Sequence, residues 1–225
     1  MLTDVDAVLF DLDGTLLDRR RSFERFIREQ WARFSSVQGT VDQDAYVRAL
    51  VALDADGYAP RKGLFTGMVA RFALPSHLAD TLLRDYRAGF PAACLLFPDA
   101  LETLATIRAS GRPIGLITNG SVRMQSGKIE CLALASVFDV ILISDGEGIA
   151  KPDPEIFRRA LTRIGAGAKR AVFVGDNPEA DIAGARAAGM RTIWRRDAAV
   201  SQAVEADAAI DQLAELVAIL GLEAR

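Results

Sequence analysis

Residues 7–15 read Ala-Val-Leu-Phe-Asp-Leu-Asp-Gly-Thr. The four apolar residues Ala7–Phe10 form a short run of the kind found in a strand buried on both faces. At its end come two carboxylates, Asp11 and Asp13, followed by Gly14 and Thr15. A turn can use one such acid. Two acids side by side at a buried strand end are costly unless a cation or hydrogen bonds compensate them. A divalent metal resolves the conflict, because hard cations favour oxygen ligands.

The chain beyond residue 92 repeats that opening theme. Apolar runs at Arg112–Thr118, Val140–Ile143, Ala171–Val174 and, more weakly, Thr192–Trp194 read as strands. Helical periodicity lies between them at Asp99–Ala109, Val122–Leu132, Pro154–Ile164 and Glu179–Ala188, with a last helix at Ala209–Leu220. Near-continuous apolar strands spaced by helices predict an α/β, doubly wound parallel sheet, with chemistry at the carboxyl ends of the strands.

Residues 18–90 break the alternation. Phe23, Phe26, Ile27, Trp31 and Phe34 share one helical face; Tyr46, Val47, Leu50 and Val51 mark a second helix, with Thr40 and Gln43 spaced as a capping box. Leu64, Phe65, Met68, Val69 and Phe72 make a third, and Leu78, Leu82, Leu83 and Tyr86 a fourth, opened by Ser76. Four helices with no strand between them predict a small helical domain at 18–90, inserted into a core made of 1–17 and 91–225. The apolar stripes are read as core packing.

Each later strand end also carries polar chemistry. Thr118-Asn119-Gly120 offers a hydroxyl, an amide and a flexible backbone, all suited to phosphate oxygens, although the triplet alone could be a turn. Lys151, in Ala150-Lys151-Pro152-Asp153-Pro154, stands beyond the third strand; alone it would read as a solvated loop lysine. Gly175-Asp176-Asn177-Pro178-Glu179-Ala180-Asp181 brings more acids to a strand end, where Asp176 could also cap the helix that follows. Four strand ends bearing acid-acid, hydroxyl-amide, lysine and acid-acid on one sheet edge point to a single site.

These four segments, in this order, resemble the motifs of the haloacid dehalogenase-like hydrolase superfamily, and the helical insert resembles its C1-type cap. The resemblance spans nearly the whole chain. It implies a Mg²⁺-dependent phosphatase that attacks a small-molecule phosphomonoester with Asp11 and passes through an aspartyl phosphate. Asp13 would be general acid and then base. Thr118 and Lys151 would hold the phosphoryl group, with Leu12, Gly14, Asn119 and Gly120 beside them. Asp11, the Asp13 carbonyl and Asp176 would bind the metal; Asp181 would act through water or by orienting Lys151, and Asn177 and Asp181 would stand on the metal or just behind its ligands. In C1-capped members the loop between the second and third cap helices faces the active site. Here it holds Tyr58, which could stack on a ring, and Arg61 and Lys62, which could meet a second anionic group or simply be solvated.

A dehalogenase on the same fold would lack an acid at the position of Asp13 and the paired acids of the last motif. A phosphonate hydrolase would need a cap lysine, for which Lys62 is the one candidate in residues 18–90. A phosphohexomutase would keep every motif quoted above. A non-catalytic binding module is the alternative from another class, and the costly set of acids argues against it.

Composition narrows the partners. Half the residues are hydrophobic, a quarter are charged and the net charge is −3, which gives no basic footprint for a nucleic acid polymer. No apolar run approaches the ~20 residues of a membrane span, and the N-terminal residues do not read as a signal peptide. The two cysteines, Cys94 and Cys131, read as reduced thiols in or near a core, and His77 as a surface residue. The expectation is a cytoplasmic monomer or homodimer.

Overall fold

The computed structural model describes residues 2–34, 37, 39–54, 57, 59–197 and 203–222. In chain order its first unit begins with strand β1 (Ala7–Phe10). Helices α1 (Arg19–Arg33), α2 (Gln43–Asp54), α3 (Arg61–Arg71) and α4 (Leu78–Ala93) follow. Then come α5 (Ala100–Ala109), β2 (Ile114–Thr118), α6 (Val122–Cys131), β3 (Val140–Ile143), α7 (Ser144–Glu147) and α8 (Pro154–Ile164). The chain continues through β4 (Ala171–Gly175), a π-helical turn at Pro178–Ala183, α9 (Gly184–Ala187), β5 (Arg191–Arg195), β6 (Ala208–Ile210) and α10 (Glu215–Ile219).

Two compact units result: residues 1–17 with 96–225, and residues 18–95. The return to the first unit falls five residues beyond the Phe90–Pro91 boundary expected from sequence, because α4 runs on through Pro91 to Ala93.

In the first unit six parallel strands form one sheet in the order β3-β2-β1-β4-β5-β6, with helices on both sides. β1, β2 and β4 are buried along their whole length, which explains their unbroken apolar runs. One face packs Leu9, Ile117, Leu142 and Phe173 against Ile156, Phe157 and Ala160 of α8. Phe157 meets Phe173 edge to face, with centroids 5.0 Å apart. β1 lies between β2 and β4, so successive connections leave it in opposite directions. Such a switch point opens a crevice at the carboxyl ends of the strands.

The sixth strand corrects the sequence reading. Sequence reading expects a helix over Ala209–Leu220, and alanines suit helices. Pairing with β5, Ile193 to Ala208 and Arg195 to Ile210, makes Ala208–Ile210 a strand instead. The helix proper starts at Glu215, whose Oε1 accepts from the Asp211 and Gln212 N–H groups, both at 2.8 Å.

In the second unit Phe23, Phe26, Phe65, Tyr86 and Phe90 form an aromatic cluster. Asp18 caps α1 by accepting from Arg21 N–H at 3.0 Å. Two start signals differ from expectation. Asp42, not Thr40, holds the first turn of α2, its carboxylate accepting from Ala45 N–H at 3.0 Å; α4 starts at Leu78 after an exposed His77, with Ser76 one residue further out. Cys94 is buried, whereas Cys131 is exposed, contrary to its expected place in or near a core.

Candidate active site

The sheet register gathers the acids. Phe10 pairs with Val174, and Asp11 N–H donates to the Val174 carbonyl at 2.9 Å. Asp11 therefore stands beside the end of β4, with Asp176 just beyond Gly175. Asp11, Asp176 and Asp181 each present a carboxylate oxygen within 4.8 Å of the others. Lys151, with its side chain 2% exposed, donates to Asp11 Oδ1 at 2.5 Å and to Asp181 Oδ1 at 2.7 Å.

Local backbone structure makes this approach possible. Gly14 has φ +86°, and a Cβ there would lie 2.2 Å from Asp176 Oδ2. Gly175 faces Asp181 so closely that a Cβ would sit 2.4 Å from the Asp181 Cβ. After β4 the chain takes a π-helical turn where sequence reading expected an α-helix from Glu179. Asn177, rather than Asp176, caps it, its Oδ1 accepting from Glu179 and Ala180 N–H groups at 3.0 and 2.7 Å. The Asn177 N–H donates to Asp181 Oδ2 at 3.0 Å. Both Asp181 oxygens thus have protein donors, and Asp181 holds Lys151 in place. Asp176 is steadied by Thr15 Oγ1 at 3.4 Å, and Trp194 Nε1 donates to its backbone carbonyl at 2.9 Å.

The electrostatics show a site short of positive charge. Burial pushes the Asp11 carboxyl up to about 7 against the pull of Lys151, and the charges of Asp181 and Asp13 raise it further. Burial, then the charges of Asp11 and Asp181, hold Asp176 well above the usual carboxylate range. Burial acts to lower the Lys151 ammonium, but Asp11 and Asp181 outweigh it and keep it above its ordinary value, hence charged. One ammonium serves three carboxylates. The donor set is all oxygen and leaves a formal deficit of two charges, which fits a hard divalent cation such as Mg²⁺.

The other expected residues divide into groups. Thr118 is buried at the end of β2, its hydroxyl accepting from Gln125 Nε2. Asn119 turns its amide to the backbone of Lys151, donating to the carbonyl at 2.9 Å and accepting from the N–H at 3.0 Å. Its side chain thus ties the end of β2 to the backbone of Lys151. The Gly120 N–H donates to Ser144 Oγ at 3.0 Å. Leu12 is buried, and its carbonyl accepts from the N–H groups of Leu16 and Leu17 at 3.0 and 2.8 Å.

Arg61 and Lys62 belong to the helical unit. Arg61 pairs with buried Asp54, which Arg19 also grips at 2.5 and 3.1 Å, and donates to the Gly57 carbonyl at 2.8 Å. Its guanidinium lies over Tyr86, so its first partners are internal. Lys62 is exposed. Tyr58 lies outside the described residues.

The carboxylate of Asp13 stands apart from the three-acid cluster. Lys128 Nζ lies 2.7 Å from each of its oxygens, and Gln125 Nε2 donates to Oδ2 at 2.9 Å. Sequence reading passed over both helix residues. Their one signal was polarity at two positions three apart on α6, beside the apolar Ile129.

A family model for haloacid dehalogenase-like hydrolases matches residues 5–189. The chain is 38% identical over 233 residues to a ribulose-1,5-bisphosphate 5-phosphatase of Halopiger xanaduensis, covering 93% of this chain and 97% of that protein. It is 42% identical to a phosphoserine phosphatase of Thermus thermophilus over 117 residues, 52% of this chain and 45% of that protein. Among solved structures, a HAD phosphatase from Thermococcus onnurineus superposes with a TM-score of 0.67 at 30% identity, covering 97% of this chain and 99% of that one.

Proposed function

The chain belongs to the haloacid dehalogenase-like hydrolases, and from that premise we propose a phosphatase of small phosphomonoesters that works through an aspartyl phosphate on Asp11. The observation that carries this reading is Lys151, buried between Asp11 and Asp181, with Asp176 close enough to complete a three-carboxylate cluster.

In the first step an Asp11 oxygen attacks phosphorus as the ester P–O bond breaks, and Asp13 gives its proton to the departing alkoxide. In the second, Asp13 takes a proton from water, whose oxygen attacks the same phosphorus. The bond to Asp11 breaks, inorganic phosphate leaves and the Asp11 carboxylate is restored. A hard displacement is thereby split into two easier ones, with one acid–base group serving both.

A carboxylate approaching a phosphate dianion meets repulsion, which Lys151 reduces at the attacking oxygen. Thr118, at the end of β2, would offer its hydroxyl to a phosphoryl oxygen. Asp11 and Asp176, with the Asp13 carbonyl, would hold Mg²⁺. The ion would neutralise charge on the phosphoryl oxygens in the transition state. Displacement at carbon, as in a dehalogenase, would need neither the proton donor at Asp13 nor the acids at the end of β4.

The test is release of phenol and phosphate from an aryl phosphate with and without Mg²⁺. Chelation should abolish turnover and added Mg²⁺ restore it. Full turnover in EDTA would overturn the proposal.

A further inference from the structure

Asp13 is held from a second element. Gln125 and Lys128 lie three residues apart on α6, on the face that also buries Ile129. Lys128 places its ammonium 2.7 Å from both Asp13 oxygens, while Gln125 bonds Oδ2 with the same amide nitrogen that reaches Thr118 Oγ1. The Lys128 side chain is only 6% exposed. A lysine is costly to bury unless it is paired, so its placement there requires Asp13 or an equivalent anion.

The clamp has geometric content. Asp13 lies three residues beyond the end of β1, on a turn, and its side chain would otherwise swing about two torsions. Donors on both carboxylate oxygens fix the plane of the group. Because they project from a helix packed in the same unit, the direction is set by the fold rather than by the loop. The Gln125 amide also ties the position of Asp13 to that of Thr118, so the proton donor and a phosphate-binding hydroxyl share one support.

We propose that Lys128, with Gln125, is a positioning residue for proton transfer, acting through the orientation of the Asp13 carboxyl group. This rests on the proton-shuttle role given to Asp13 above, and the test separates the two. The 225-residue chain with Mg²⁺ is assayed on p-nitrophenyl phosphate, whose phenolate departs unaided, and on glycerol phosphate, whose alkoxide needs a proton. Lys128→Met keeps the length of the side chain and removes the cation.

Misplacing a catalytic group by about 1 Å can cost about 10²-fold, so kcat on glycerol phosphate should fall by about that factor. The ratio of glycerol phosphate turnover to the nitrophenol burst rate should fall at least ~10-fold. In an Asp13→Asn background, the same substitution should add less than about twofold, since coupled residues are not additive. Lys128→Gln, which keeps a donor without the charge, carries the same comparison should Lys128→Met fail to fold by circular dichroism.

Equal losses on both substrates would overturn the proposal. So would an undiminished loss in the Asp13→Asn background, which would put Lys128 on the phosphate itself. In either case a leaving-group-dependent loss in Asp13→Asn alone would leave the shuttle role standing. If Asp13→Asn slows both substrates equally, the shuttle role falls, and the clamp's role falls with it.

Discussion

Asp11 and Asp13 are two residues apart yet meet different cations: Lys151 from the segment between α7 and α8, and Lys128 from α6. On the roles proposed above, that separation would let two identical side chains take different tasks. On that proposal Asp11→Asn would remove the nucleophile and a charged metal ligand together, so rapid quench should find no phosphoenzyme and no turnover. Asp13→Asn keeps its shape and its backbone carbonyl but cannot shuttle a proton, a function worth about 10²–10⁴-fold. With an aryl phosphate the first step should survive better than the second, giving a burst of phenol followed by slow turnover. A phosphoenzyme in Asp11→Asn, or no burst in Asp13→Asn, would reverse these assignments. At this scale sequence was informative wherever chemistry is contiguous: DLDGT and GDNPEAD crowd acids together, and crowding is itself the signal. Gln125 and Lys128 were missed because each is an ordinary helix-surface residue type, and only the fold turns that face inward. No local pattern announces the pairing of Arg61 with Asp54, seven residues earlier.

Individual elements place these groups by where they stop. β1 ends opposite Leu116 of β2 and Val174 of β4, so residues one or two beyond these pairs reach a common edge. The apolar runs made those strands legible. β6 was not, because three residues of Ala-Ala-Ile carry no strand signal and are decided by the neighbouring edge of β5. The π-helical turn after β4 was also hidden, since Glu179–Ala188 has ordinary helical periodicity. Its form follows from tertiary demands: Asn177 accepts the first N–H groups while Asp181 turns back toward Lys151. Gly175 is what lets that turn lie against β4, and it makes a direct test. A methyl group there would sit 2.4 Å from the Asp181 Cβ, closer than packed atoms tolerate. Gly175→Ala should therefore push Asp181 from Lys151 and cost about 1–3 kcal/mol by overpacking. Turnover should fall well beyond what that loss of stability explains. Thermal unfolding beside kcat at a temperature where both proteins are folded checks this; an alanine variant with undisturbed turnover would show that the close approach is unimportant.

Across the whole first unit, the two edges of the sheet handle charge in opposite ways. At the amino ends of the strands, Asp6 pairs with Arg170 beside β4 and Asp4 with Arg191 at the start of β5. Hydrogen bonds from Arg191 and Arg170 lower these carboxyls, Asp4 to about 2, so what they contribute persists above the ordinary carboxylate range and fades only in acid. At the carboxyl ends the balance reverses. Asp11 is raised from 3.8 to about 7 and Asp176 is raised as well, chiefly by burial. A carboxyl with a raised value binds its proton more tightly folded than unfolded. Its stabilisation is therefore fully present below about 4 and is lost as pH rises through 7. Without metal, the protein should be more stable near pH 5 than near pH 8. A divalent cation held by these acids would invert that trend, because it would bind the ionised carboxylates and compete with their protons. The gain in Tm on adding Mg²⁺ should thus be small at pH 5.5 and large at pH 8, at about 2–4 °C for each kcal/mol in a chain of this size. Asp11→Asn removes one of the raised carboxyls and should flatten the metal-free dependence on pH while weakening the response to Mg²⁺. Differential scanning calorimetry of both proteins at the two pH values, with Mg²⁺ or EDTA, decides the matter. A Mg²⁺ effect equal at both pH values, or unchanged in Asp11→Asn, would mean that the ion binds away from the acids at the carboxyl edge of the sheet.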